Sequence, residues 1–397
     1  MRTLAASREF KDTPAGTIPV DWRCARLSEV CRTFSGGTPS RKHAANFGGG
    51  IPWIKSGELN SRLIESTEET ISKVSLANSA AKIVEAGTCL VALYGATAGV
   101  VGRSMIEAAI NQAILAIVPR TDELLDSFLF VALEHVVPQA VRLVQGGQPN
   151  LNAGIIESLY LPIPPRREQQ RIVDTLHQWD DSISLSDRLV TAKIDYERGS
   201  LSELVNGRWS LVRLGDVAQE CFDRNGSTYP RERLSAVTKK DGIVPMRERV
   251  QGDDISRCKI VEPGWFAYNP MRLNIGSIAR LERESAAIVS GDYVVFRALE
   301  DRLLGDYLDH LRRSDRWANF VRRSGNGSVR VRIWFPDLGR FQFPLPPLKQ
   351  QRRVADLLSS MTREISMLQE KSEALREEKR GLMQKLFSGK VRLKDGS

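Results

Sequence analysis

At 397 residues the chain is too long for one ordinary hydrophobic core, and 42% hydrophobic with 26% charged residues is a globular rather than a disordered composition. No run approaches the roughly 20 apolar residues of a membrane span, and five cysteines without a CxxC pair, beside four scattered histidines, argue against a zinc site or a disulfide framework. A net charge of +9 favours a polyanionic partner.

Met1–Trp22 is polar and broken by Pro14, Gly16 and Pro19. It lacks the apolar stretch of a signal peptide, so a cytoplasmic protein with reduced, core-packed thiols is expected. From residue 20 to 160, short apolar runs alternate with glycine-rich turns. Thr88–Tyr94 and Ala113–Val118 read as strands, and 122–145 reads as helix. A proline-rich segment, Leu161–Pro165, must be extended, and a helix starts after its last proline. Apolar residues then recur at Ile172, Leu176, Trp179, Ile183, Val190, Ile194, Leu201 and Val205. The second half has strand-like runs at Tyr293–Phe296 and Arg330–Trp334, with helix over 301–323. Phe343–Pro347 is again proline-rich. A stricter heptad stripe follows at Val354, Leu358, Met361, Ile365, Leu368, Leu375, Leu382 and Leu386, interrupted by Ser372 and Lys379. Gly207 and Gly389 are placed to end the two helices, each about 50–55 Å long at the α-helical rise.

The halves are copies. Pro162, Pro164, Pro165, Gln169, Arg171, Asp174 and Leu176 recur 182 residues later as Pro344, Pro346, Pro347, Gln351, Arg353, Asp356 and Leu358. Trp22 with Arg26-Leu27 returns as Trp209 with Arg213-Leu214, Gly87 as Gly264, and Gly99 as Gly276. So long a period is a tandem duplication of domain plus connector. The expected fold is mixed α/β: two globular domains, 1–165 and 207–347, each followed by a long helix, 166–206 and 348–390, with a tail at 391–397. The two heptad helices are expected to pair with each other as a coiled coil.

Particular motifs sharpen this. The first half carries Ile18-Pro-Val-Asp-Trp22, Ser35-Gly-Gly-Thr-Pro39, Ile51-Pro-Trp-Ile-Lys-Ser-Gly-Glu-Leu59, Tyr94-Gly-Ala-Thr-Ala-Gly99 and Asn111-Gln112. The second carries Tyr268-Asn-Pro-Met-Arg-Leu-Asn-Ile-Gly276. Taken in order with the repeated hinge, they resemble the specificity subunits of type I restriction-modification systems across essentially the whole chain. The resemblance implies two target-recognition domains, each reading half of a split, asymmetric site in double-stranded DNA, with the two helices packed antiparallel and setting the spacer. It also implies docking of two methyltransferase (modification) subunits, and in some systems of motor-nuclease subunits. S-adenosylmethionine, ATP and magnesium then belong to those partners, and none is bound by this chain. The second half lacks the Gly-Gly-Thr-Pro and Pro-Trp-Ile-Lys signatures, which suits reading an unlike half-site.

Base reading calls for Arg, Asn and Gln, and phosphate contact for cations or the exposed amides of glycine loops. The candidates in the first half are Ser35, Gly36, Gly37, Thr38, Arg41, Lys42, Lys55, Tyr94, Thr97 and Gln148. In the second half they are Tyr268, Asn269, Arg272, Asn274, Asn326, Arg330 and Arg332. The last two belong to a run of seven arginines against one acid between 312 and 332. Structural readings compete with these: a tight turn for Gly36-Gly37, core packing for Trp53 and Tyr94, and the wet face of a strand for Arg330 and Arg332. Catalysis by the chain itself finds no support. Asn269-Pro-Met-Arg lacks the second proline and aromatic of an adenine methyltransferase loop, Ser388-Gly-Lys390 lacks the spaced glycine of a phosphate loop, and Pro336-Asp337 lacks the downstream acid-x-lysine of a nuclease. A stand-alone DNA-binding protein with an intramolecular coiled coil is the remaining alternative.

Overall fold

The structure, a computed structural model, describes residues 9–143, 151–205, 209–246, 254–324 and 332–393. The chain divides into two compact units: unit 1 is Met1–Leu185 with Ser372–Ser397, and unit 2 is Ser186–Lys371.

In unit 1, strands β1 (Cys31–Ser35), β2 (Leu63–Ile64), β3 (Cys89–Ala92), β4 (Val101–Ser104) and β5 (Ile114–Pro119) form one sheet in the order β1-β5-β3-β4-β2. The apolar runs of β3 and β5 do not alternate with polar residues because both faces are covered. Cys89, Val91, Leu115 and Ile117 point into a core shared with helix α1 (Asp126–Leu143). Their neighbours Leu90, Ala92, Ile114 and Ala116 point into a second core, with Ile54, Val84 and Ile110 of a smaller sheet. Burying each such leucine or isoleucine side chain is worth about 1.5–3 kcal/mol.

Two strands close the domain: Arg23–Arg26 pairs antiparallel with Tyr160–Ile163. Directly after Pro165 the chain enters helix α2 (Arg166–Val205). Gln169, fully buried, fastens its first turn. Its Nε2 donates to the carbonyls of Glu123 (2.8 Å) and Pro164 (2.9 Å), and its Oε1 accepts the Leu125 amide at 3.0 Å.

Unit 2 repeats the plan. Strands β6 (Ala218–Cys221), β7 (Phe266–Tyr268), β8 (Ile278–Arg280) and β9 (Val294–Ala298) lie in the order β6-β9-β7-β8, matching β1-β5-β3-β4. The turn glycines correspond as well: Gly87 and Gly264 have φ +95° and +84°, and Gly99 and Gly276 have +83° and +92°. Helices α3 (Gly305–Leu311) and α4 (Asp315–Ser324) cover one face of the sheet. Leu211–Arg213 pairs with Gln342–Pro344, and helix α5 (Leu348–Phe387) follows. Gln351 repeats the clamp of Gln169, donating to the carbonyls of Arg302 and Pro346, both at 2.8 Å, and accepting the Leu304 amide at 2.9 Å. The mixed α/β duplication expected from the sequence is borne out.

At 40 residues each, α2 and α5 are about 60 Å long, slightly more than expected. Within each unit they run antiparallel. In unit 1, Ile172 and Leu176 share a core with Met383 and Leu386. In unit 2, Lys193 meets Glu364 at 2.8 Å and Glu197 accepts from Thr362. The seam differs from the expected one at Ile194, which is 41% exposed. Strict 4-3 stepping from Val190 leads to Lys193 and Glu197, which pair across the seam instead. Helix α5 ends at Phe387, and Gly389 (φ +64°) turns the chain just beyond it, as expected. Gly207 lies outside the described residues.

One feature is not duplicated. In unit 1, Trp22 Nε1 donates to buried Glu168 at 3.1 Å, and Arg392 bridges Glu168 and Asp21. Unit 2 has Gln350 at the place of Glu168, and Trp209 is exposed. All five cysteines are free, and all but half-buried Cys24 are buried. Among the described residues no helix is long and apolar enough to cross a membrane.

Candidate nucleic-acid interface

The register of the first sheet gathers three sequence motifs at one of its ends. Ser35 pairs with Leu115, Ile114 with Ala92, and Val91 with Val101. The loops leaving β1, joining β3 to β4, and entering β5 therefore emerge together. Backbone bonds tie them further: Leu93 donates to Ala113 (2.8 Å), Asn111 to Ile54 (3.1 Å) and Gly37 to Ile110 (3.0 Å). Thr38 Oγ1 meets the Gln112 side-chain oxygen.

Within this cluster the candidates part company. Gly36 and Gly37 are buried. A Cβ on Gly36 would lie 1.8 Å from the Ile110 carbonyl oxygen, and one on Gly37 would lie 2.5 Å from the Ala80 carbonyl carbon. These glycines admit the protein's own backbone, which corrects the expectation that they offer amides to phosphate. Trp53 is core, its Nε1 donating to Gly37 at 3.3 Å. Ser35 is half-buried in its strand, and the backbone carbonyl of half-buried Thr97 accepts from Val100. Thr38, Arg41, Lys42 and Tyr94 are exposed. Arg41 lies over Phe47 (4.9 Å) and contacts both Glu69 oxygens at 3.1 Å. Lys55 reaches Glu68 and Glu69, each at 2.9 Å. These partners raise the pKa of Lys55, while Arg41 and Lys55 lower that of Glu69. Phosphate contact by either cation requires displacing a carboxylate. Gln148 lies outside the described residues.

In unit 2 the corresponding loop is Asn269–Ser277, between β7 and β8. Tyr268 does not belong to the surface. It is fully buried edge-on to Phe296, and burial pushes its phenol pKa up. The expectation that it meets DNA is corrected: as the last residue of β7 it points inward, with Phe266, to the helix-covered core. Asn269 makes the turn itself, its Oδ1 accepting the Met271 amide at 2.9 Å. Arg272 and Asn274 stand exposed on the loop with Met271 and Ile275. Arg332, also exposed, is brought alongside because the Ile333 amide donates to Pro270 at 3.1 Å. The same bond recurs in unit 1, where Leu151 donates to Leu93. Arg332–Trp334 is irregular rather than the expected strand; Asn326 and Arg330 lie outside the described residues.

A groove of about 770 Å³ opens beside this loop. Its walls are the hairpin turn Thr238–Ile243, strand β8 and helix α4, and they carry Lys239, Lys240, Arg283, Arg313 and Arg322. Sequence reasoning passed over Lys239, Lys240 and Arg283, although Lys239-Lys-Asp-Gly242 has the composition of an exposed basic turn. It also left out Gln112, which is exposed at the unit 1 loop cluster. The arginine run is not uniformly free. Buried Asp309 holds Arg312 at 2.8 Å and Arg313 at 2.7 Å; burial opposes its charge, yet the two guanidinium groups outweigh that and lower its pKa.

Two copies of one frame, presenting loops of unlike chemistry at equivalent sheet ends, define a two-module protein made by tandem duplication. Residues 19–192 match the family described as the type I restriction modification DNA specificity domain. The MjaIX specificity subunit of Methanocaldococcus jannaschii is 24% identical over 270 residues, 62% of each chain. The chain thus aligns with less than two thirds of that relative's length. The MjaVIII specificity subunit of the same organism is 19% identical, with 97% of this chain and 96% of that one covered. The crystal structure of the S subunit of an M. genitalium type I system superposes with a TM-score of 0.56 at 11% identity, covering 100% of this chain and 99% of that one. Residues 19–192 thus match the type I DNA specificity domain, and the chain as a whole is similar to specificity subunits of type I restriction-modification systems.

Proposed function

We propose that each unit reads one half of a split, asymmetric site in double-stranded DNA, and that the chain supplies address rather than chemistry to a cytoplasmic modification complex. The observation that carries this is the pairing of likeness with difference. Strand order, turn glycines, hinge and glutamine clamp are duplicated, while the equivalent loops hold Tyr94-Gly-Ala-Thr-Ala-Gly99 in one unit and Asn269-Pro-Met-Arg-Leu-Asn-Ile-Gly276 in the other. A common frame with divergent loops suits two different DNA words. In unit 1, Thr38, Gln112 and Tyr94 face the duplex. In unit 2, Arg272, Asn274 and Arg332 do so, with the basic groove taking the backbone.

Two methyltransferase subunits, carrying S-adenosylmethionine, dock along the helices, where Leu189 and Tyr196, seven residues apart on α2, are exposed. Motor-nuclease subunits with ATP and magnesium join in a restricting complex. Co-expression with an adenine methyltransferase subunit and mapping of methylated adenines tests the proposal. The expected result is methylation at one bipartite motif, with Arg332→Ala altering only the half-site read by unit 2. An intact complex that methylates no split motif overturns it. Tight site-specific binding by the chain alone, with no partner affecting methylation, favours the stand-alone DNA-binding protein.

A further inference from the structure

Unit 1 contains a charge cluster away from the loops proposed to read DNA. Arg62 follows the 3-10 turn Ser56–Ser61, and among the described residues it is the sole non-glycine residue at positive φ (φ 63°, ψ −55°). L side chains disfavour that region, and glycine would occupy it freely. The Arg62 guanidinium lies 5.1 Å from the Phe130 ring centroid and pairs with Glu134 of α1. Its Nη2 is also 2.9 Å from Asp180 of α2. Asp180 in turn takes Lys379 of α5, one of the two residues that break the heptad stripe. All four are largely withdrawn from solvent: side-chain exposure is 31% for Arg62, 18% for Glu134, 23% for Asp180 and 12% for Lys379. Burial opposes the guanidinium charge, but the two carboxylates outweigh it and raise its pKa.

The helix pair needs no salt bridge at this point. Under the 182-residue repeat, Asp180 and Lys379 correspond to Thr362 and Glu197, which also bond each other. There the domain reaches its helix through neutral groups, His310 Nε2 and Ser359 Oγ at 2.9 Å. Unit 2 also has an ion pair from domain to helix, Arg198 with Asp315 at 3.5 Å, but both side chains are exposed (73% and 70%). Among the described residues, the half-buried ionic bridge is therefore particular to unit 1. It sits 11 residues beyond the Gln169 clamp, about 16 Å along the axis. The Gln169 clamp and the core shared by Ile172, Leu176 and Phe387 with Phe128 hold the domain at one end of the helix pair, and the Arg62 bridge adds a hold farther along it, which fixes the angle.

We propose that Arg62 is a positioning residue for site spacing: through Asp180 and Lys379 it fixes the angle of the first reading surface on the helix pair, restricting the protein to one spacer length. This rests on the split-site reading above. Adding one base pair moves a half-site by about 3.4 Å and turns it by about 35°, so the angle matters as much as the distance.

The test uses the full chain in complex with its modification subunits. Methylation rates are measured on duplexes with the native spacer and with one base pair more or less. Arg62→Gly relieves the backbone and removes the bridge; it is expected to keep the native-spacer rate within about threefold while spacer discrimination falls about tenfold, half-site preferences being unchanged. Asp180→Asn is expected to relax spacing likewise, and Arg62→Lys to restore part of it. Unchanged spacer discrimination in an active Arg62→Gly complex overturns the proposal. So does loss of activity on every spacer in Arg62→Gly alongside unaltered discrimination in Asp180→Asn, which assigns Arg62 to folding alone. A wild-type complex that methylates no split site at any spacing defeats the proposed function instead.

Discussion

Gln351→Leu isolates what the repeated hinge motif does. Leucine nearly matches glutamine in volume, so the change removes three hydrogen bonds without opening a large void. The Leu304 amide and the Arg302 and Pro346 carbonyls each lose a bond of 2.8–2.9 Å at a site with 0% exposure. At about 1 kcal/mol net per bond the loss is about 3 kcal/mol, and the apolar side chain returns about 1 kcal/mol of it. A net loss of about 2 kcal/mol in a unit of this size lowers Tm by about 4–8 °C. Differential scanning calorimetry should show this drop, and Gln169→Leu should give a comparable one because its three bonds are the same in kind and length. A drop below about 2 °C in either variant refutes the reasoning, since water or neighbouring groups would then satisfy the freed backbone as well as the amide does.

Acid should weaken unit 2 through His310, whose pKa is lowered by burial and by Arg313. A depressed folded pKa means that its contribution is fully present above the unfolded value near 6.5 and is lost as pH falls through the folded value. Urea midpoints should therefore decline below about pH 6.5, with a shallower slope in His310→Asn; an identical slope would count against the assignment. Gly36→Ala should cost about 3 kcal/mol or more in urea unfolding, because its Cβ meets a backbone oxygen that cannot move aside. A variant as stable as wild type but weaker on DNA would restore the phosphate-loop reading of that glycine.

The duplication was legible because its repeated residues have one physical job in both places. Gln169 and Gln351 satisfy the same backbone groups, and Gly87 and Gly264 supply the same left-handed turn. The clustering of Thr38, Gln112 and Tyr94 was not legible, because it follows from strand order, which local spacing does not encode. Tyr268 misled because an aromatic beside Asn-Pro reads alike whether it ends a buried strand or begins an exposed loop. Gly36 misled for a related reason: a glycine needed for close approach does not say what approaches. Ile194 misled through hydrophobicity alone. The seam's phase runs through Lys193 and Glu197, whose charges are met by Glu364 and Thr362.

Unit 1 is discontinuous along the chain, and its second segment is made only after unit 2. Its core awaits Met383, Leu386 and Phe387, and buried Glu168 awaits Arg392. All of unit 2, Ser186–Lys371, is synthesised in between. At about 5–20 residues per second, the apolar face of the first helix stays uncovered for about 10–40 s on the ribosome. The second domain can meanwhile pair its own strands, so order of completion runs opposite to order of synthesis. Nascent chains stalled before Ser372 should therefore expose Ile172 and Leu176 to chaperones and proteases, and the segment from Ser372 to Arg392 acts as the closing piece of the first domain.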